Sequence, residues 1–86
     1  MSVENEVMHV RISRSTDTVW EGDVQSVSSE NSTGAFDILP MHANFISVVE
    51  NKPFVLRMND GSQKEFTFEK AVIFVRNNTV RIFANL

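Results

Sequence analysis

The feature that most restricts the fold of this chain is period-two alternation, repeated in short runs that turn-forming residues interrupt. Successive side chains of a β-strand point to opposite faces of a sheet, so alternation of apolar and polar residues marks a half-buried strand rather than a helix. Met8, Val10 and Ile12 alternate with Val7, His9 and Arg11, which predicts a first strand over 7–13. Thr16-Asp17 and Glu21-Gly22-Asp23 read as turns, with the apolar pair Val19-Trp20 between them closing one end of a core. A second strand is expected over 23–29, followed by the polar loop Glu30-Asn31-Ser32-Thr33-Gly34, whose glycine tolerates positive φ.

The pattern continues to the end of the chain. Strands are expected over 35–39 and 45–49, the first ended by Leu39-Pro40. Phe54, Leu56 and Met58 alternate toward Asn59-Asp60-Gly61-Ser62, where Asp-Gly favours a primed hairpin turn, and the return strand carries Phe66 and Phe68. The last two strands, 71–76 and 79–84, meet at Asn77-Asn78, residues that accept left-handed backbone. About eight short strands and no helix imply an all-β fold, a compact sandwich or barrel-like double sheet. Seven Phe and Trp20 are expected to carry much of its core. In the final hairpin, apolar residues occupy both sequence parities: Val72, Phe74, Val80 and Ile82 on one, Ile73, Val75 and Phe83 on the other. That pattern fits either a strand covered on both sides or an outer apolar face that docks on another protein.

Composition narrows the function. The net charge is −3 and the eight Lys and Arg are scattered along the chain, without the basic run expected of a nucleic-acid binder. No apolar run approaches the roughly 20 residues that span a bilayer as a helix, and the start is too acidic and polar for a secretory signal. The absence of cysteine suits a reducing compartment. The expectation is a single soluble domain over 1–86, with 1–6 as a polar N-terminal extension.

Catalytic chemistry finds little to work with. The two histidines, His9 and His42, lie 33 residues apart, and no serine sits in a nucleophile-elbow context. No metal-ligand spacing and no glycine-rich phosphate loop is present, so no catalytic, metal or cofactor-binding residue is expected. A histidine beside a turn ordinarily makes a local hydrogen bond, and the residues alone define a small β-domain whose final hairpin is either covered on both sides or offers a docking face.

The segment Gly34-Ala35-Phe36-Asp37-Ile38-Leu39-Pro40-Met41-His42-Ala43 closely resembles the G-x-x-G-I-L-P-x-H-A-P signature of the epsilon subunit of F-type ATP synthases. Val19-Trp20-Glu21-Gly22 resembles that family's V-x-x-G segment, and Asp23-Val24-Gln25-Ser26-Val27 its second strand. Phe74-Val75-Arg76-Asn77-Asn78-Thr79-Val80-Arg81-Ile82 is similar to its closing V-R-N-N-x-V-x-I hairpin. The likeness runs over about residues 7–84 in matching order.

The resemblance implies a small β-sandwich of eight to ten short, mostly antiparallel strands. It also implies a non-catalytic rotor subunit of the central stalk, peripheral on the cytoplasmic face of a bacterial inner membrane. Such a subunit binds the gamma subunit and the c-ring and couples ion translocation to ATP synthesis. Carried onto this chain, the c-ring contacts would be Glu30, Asn31, Ser32, Pro40, Met41 and His42, both loops lying at one end of the sandwich. Apolar contacts to gamma would come from Ile73, Val75 and Phe83. Asp37 and Asn44 depart from the signature's second glycine and final proline, and Glu69-Lys70-Ala71 stands where the family has a glycine-rich step. Leu86 falls where the family's inhibitory helical hairpin begins, so coupling without inhibition is the expectation. The alternative is a free-standing β-sandwich that binds a small ligand or peptide.

Overall fold

The computed structural model describes residues 6–85. Most of the extension expected over 1–6 therefore lies outside the described residues, as does Leu86. The described residues form nine strands and no helix: β1 (Met8–Ser13), β2 (Thr18–Val24), β3 (Ser26–Asn31), β4 (Gly34–Ile38), β5 (Phe45–Val49), β6 (Pro53–Arg57), β7 (Gln63–Thr67), β8 (Ala71–Arg76) and β9 (Thr79–Ala84). A five-stranded sheet, β2-β1-β9-β8-β5, faces a four-stranded sheet, β4-β3-β6-β7. The β1–β9 pair is parallel and the other pairs are antiparallel. An all-β sandwich of mostly antiparallel strands is thus observed.

The alternation of β1 produces its burial: Met8, Val10 and Ile12 are buried while His9 and Arg11 are exposed. Facing residues from both sheets complete one core cluster, among them Val27, Ile38, Phe54, Leu56, Ile73 and Ile82. The core is aliphatic rather than aromatic, contrary to expectation. Among the described aromatic residues only Phe54 is fully buried; Trp20, Phe36, Phe45, Phe66 and Phe68 pack around its rim. Two stacked layers leave their ends open, and large flat rings close those ends with one edge still in contact with water.

Glu21-Gly22-Asp23 is not a turn but the middle of β2, paired with Arg11, Val10 and His9 of β1. Gly22 serves close approach here. A Cβ at this position would meet the Trp20 ring at 2.8 Å, so the indole lies across the glycine on the same face of the strand. The strand expected over 23–29 is two strands. The chain bends at Gln25, whose N–H donates to the Arg57 carbonyl at 2.7 Å, and passes from the five-stranded to the four-stranded sheet. Val24, Ser26 and Val27 are all buried because the crossing resets the alternation.

Turn chemistry follows loop length. Asn77 (φ 51) and Asn78 (φ 62) form the two-residue primed turn between β8 and β9. The β6–β7 turn differs from expectation. Met58 N–H donates to the Ser62 carbonyl, leaving three residues between them, and Gly61 N–H donates back to the Met58 carbonyl. Gly61 alone has positive φ (87), the signature of a type I turn with a glycine bulge rather than a primed turn. Asp60 caps it by accepting the Ser62 N–H at 2.9 Å.

Candidate docking surfaces

The two faces of the last hairpin are set by its two-residue turn. Val75 pairs with Val80, Ile73 with Ile82, Val72 with Phe83 and Phe74 with Arg81. Paired residues share a face, so odd positions of β8 join even positions of β9. Ile73 (0% exposed) and Val75 (3%) therefore point into the core and present no surface to a partner, against the expectation for gamma contacts. Phe83 does lie on the outer face, beside Val72 and Phe74.

This outer face continues onto β5, where Ile46 pairs with Phe74 and Val48 with Val72. Ile46 (62% exposed), Val48 (44%) and Phe74 (41%) are among the most exposed large apolar residues described. Phe74 and Phe83 meet edge to face at 5.6 Å between ring centroids. Arginines flank the strip. Arg76 pairs with Thr79, and Arg81 with Arg11 across the parallel β1–β9 register. Together with Arg14, which lines a shallow groove with Arg11 and Arg81, they bring half of the chain's eight basic residues to one face. Residues scattered in sequence are gathered by register, which is why charge spacing alone did not reveal the cluster.

Toward the β2 edge the same sheet face turns acidic. His9 Nε2 lies 2.6 Å from Glu21 Oε2 and its Nδ1 lies 3.0 Å from Asp23 Oδ1. Donating to both carboxylates requires both ring nitrogens to carry hydrogen, the charged form of the ring. The hydrogen bond to Glu21 and then that to Asp23 raise the His9 pKa, while His9 lowers that of Glu21.

The two signature loops do not share one end of the sandwich. Strand β4 begins at Gly34, directly after the turn, and ends at Ile38, directly before Leu39-Pro40. Its length separates them by about 13 Å. The loop expected over 30–34 is shorter than that: Glu30 and Asn31 end β3, paired with Ala35 and Gly34, and only Ser32-Thr33 turn. Glu30 and Ser32 are exposed, whereas the Asn31 side chain is occupied internally. Its Oδ1 accepts the Thr33 N–H at 2.9 Å and its amide donates to Ser47 Oγ at 2.9 Å. After β4, His42 N–H donates to the Leu39 carbonyl at 3.0 Å, closing a turn with Pro40 at its second position and Met41 (φ 67) at its third. Met41 is 77% exposed. His42 Nδ1 lies 2.7 Å from the Ala43 carbonyl, and the ring packs edge-on against Phe45 at 5.8 Å, the local role expected of a histidine beside a turn.

The Asp37 departure from the signature is accommodated. Asp37 stands on the outer face of the smaller sheet, where it accepts the Ser28 hydroxyl, and Arg57 donates to the same hydroxyl oxygen at 3.2 Å. Among the described residues no group of three or more His, Asp and Glu is arranged to hold a metal ion.

Two facing sheets with a single parallel β1–β9 pair define a β-sandwich, and its larger sheet carries an exposed, arginine-flanked apolar outer face. Residues 7–86 match the family described as "ATP synthase, Delta/Epsilon chain, beta-sandwich domain", and the chain belongs to that family. The ATP synthase epsilon chain of Sulfurovum sp. (strain NBC37-1) is 31% identical over 58 residues, which is 67% of this chain and 45% of that protein. The chain thus spans under half the length of this relative. A chain of the Euglena gracilis mitochondrial ATP synthase (OSCP/F1/c-ring) superposes with a TM-score of 0.82 at 12% identity, covering 91% of this chain and 50% of that one. A chain of the Tetrahymena thermophila mitochondrial ATP synthase central stalk and c-ring gives 0.76 at 13% identity, covering 92% and 63%. These two likenesses concern the fold.

Proposed function

We propose that this chain is a non-catalytic rotor component of an F-type ATP synthase central stalk, held between the gamma subunit and the c-ring. The observation that carries this reading is the family match over residues 7–86. The outer face of β5, β8 and β9 supports it, because an exposed apolar strip on so small a domain is a surface that a partner covers. Gamma occupies that strip, with Phe74, Phe83 and Ile46 at its centre. The c-ring meets the turn after β4, where Met41 is exposed and Pro40 and His42 are half-buried beside it; Glu30 and Ser32, at the other end of β4, are left out of this contact.

In this role the domain transmits force rather than performing chemistry. A sandwich whose sheets share one close-packed core resists shear, so rotation of the c-ring reaches gamma without being lost in bending. The complex sits on the cytoplasmic face of a bacterial inner membrane, with the chain attached only through its protein neighbours. The test is ATP synthesis driven by an ion gradient in membrane vesicles from cells lacking this chain. Synthesis falls in its absence and returns when the chain is restored; unchanged synthesis contradicts the reading.

A further inference from the structure

The geometry points to an acidic, amphipathic segment of gamma as the occupant of the β5–β8–β9 face: apolar side chains on Ile46, Phe74 and Phe83, and carboxylates opposite Arg76 and Arg81. This rests on the gamma reading above and adds the chemistry of the partner surface. An open groove of about 820 Å³ runs along the face, between the Asn44–Ile46 segment and Arg81. Phe74 and Phe83 form its floor, with Arg76 and Arg81 beside them.

The two arginines differ from their neighbours. Arg14 is matched bidentately by Asp17, and Arg11 donates to the Thr18 hydroxyl at 3.2 Å. Among the described residues Arg76 and Arg81 form no ion pair, although the chain carries a net charge of −3. They are diagonal neighbours across the β8–β9 ladder, a separation of about 7–8 Å at their Cα atoms. Two forks so spaced accept two carboxylates of one extended or helical segment, each bidentately. An apolar floor excludes water from the centre while the charged rim fixes register and speeds encounter.

The experiment measures binding of the purified gamma subunit to the wild-type chain and to the R76E/R81E double variant, at low and at high salt. Both positions are exposed and outside the core, and a matching thermal melt confirms that the variant folds. Wild-type binding is expected to weaken with salt, and the double variant to bind at least about tenfold more weakly with that salt dependence removed or reversed. Equal binding of the two chains overturns the acidic-segment inference while leaving the gamma reading intact. No binding by the wild-type chain overturns both.

Discussion

Asn78 Oδ1 accepts the backbone N–H of Met41 at 2.6 Å, tying the loop after β4 to the turn between β8 and β9. The same asparagine accepts the His9 N–H on its backbone carbonyl at 3.1 Å and donates from its side chain to the Val7 carbonyl at 3.4 Å. Three segments distant in sequence thus meet on one left-handed residue. Asn78→Ala removes the side-chain partners and strains the turn, and is expected to cost about 1–3 kcal/mol in urea unfolding. Asn78→Gly relieves the strain but not the lost bonds, so it should fall between Ala and the wild type.

Met41 occupies a backbone conformation that a type II turn normally assigns to glycine. Met41→Gly is expected to raise stability by roughly 0.5–1 kcal/mol, since relief of left-handed strain exceeds the added freedom of the unfolded chain. If the side chain serves the c-ring, the same variant should bind purified c-ring less well. A gain in melting temperature together with weaker c-ring binding separates the two effects. Unchanged c-ring binding would remove Met41 from the contact.

Trp20 lying over Gly22 yields a double-mutant test. Gly22→Ala drives a methyl group into the indole, and the ring can yield only by giving up its packing against Phe66, 6.3 Å away. A loss of roughly 1–3 kcal/mol is expected, with a change in tryptophan fluorescence. With Trp20→Ala as background, Gly22→Ala should be neutral or stabilising, because the obstacle is gone.

His9 makes part of the stability depend on pH. Its folded pKa is raised above its unfolded value near 6.5, so its contribution is complete below that value and is lost as pH rises through the folded pKa. Glu21 is shifted down, so its share is present above its unfolded value near 4.3 and is lost as pH falls through the lowered one. The clamp is complete between those two ordinary values. Melting temperatures of the wild type should decline from pH 6 to 8 relative to His9→Gln, and NMR titration of His9 should give a midpoint above that of a free histidine. Parallel melting curves for the two proteins would contradict the clamp.

Much of this architecture is legible in the chain because alternation and burial arise from the same pleat. Strand β1, β5 and the Asn77-Asn78 hairpin stand where the pattern puts them. The failures have local causes. Gly22 resembles a turn residue until the indole above it is seen, and Gln25 carries the chain between sheets without glycine or proline to mark the step. Parity counted straight through a two-residue turn puts Ile73 and Val75 beside Phe83, whereas the pairing that the turn imposes sends them to the opposite, inner face. The arginine cluster needed the β1–β9 register, a contact between the two ends of the chain that no local pattern contains.

The central claim is membership of the rotor, and co-purification tests it most directly. The chain, tagged and recovered from gently solubilised membranes of its own host, should bring down gamma and the c-ring in fixed proportion. Recovery of the chain alone, or with unrelated proteins, under conditions that keep the rest of the ATP synthase assembled would contradict the account.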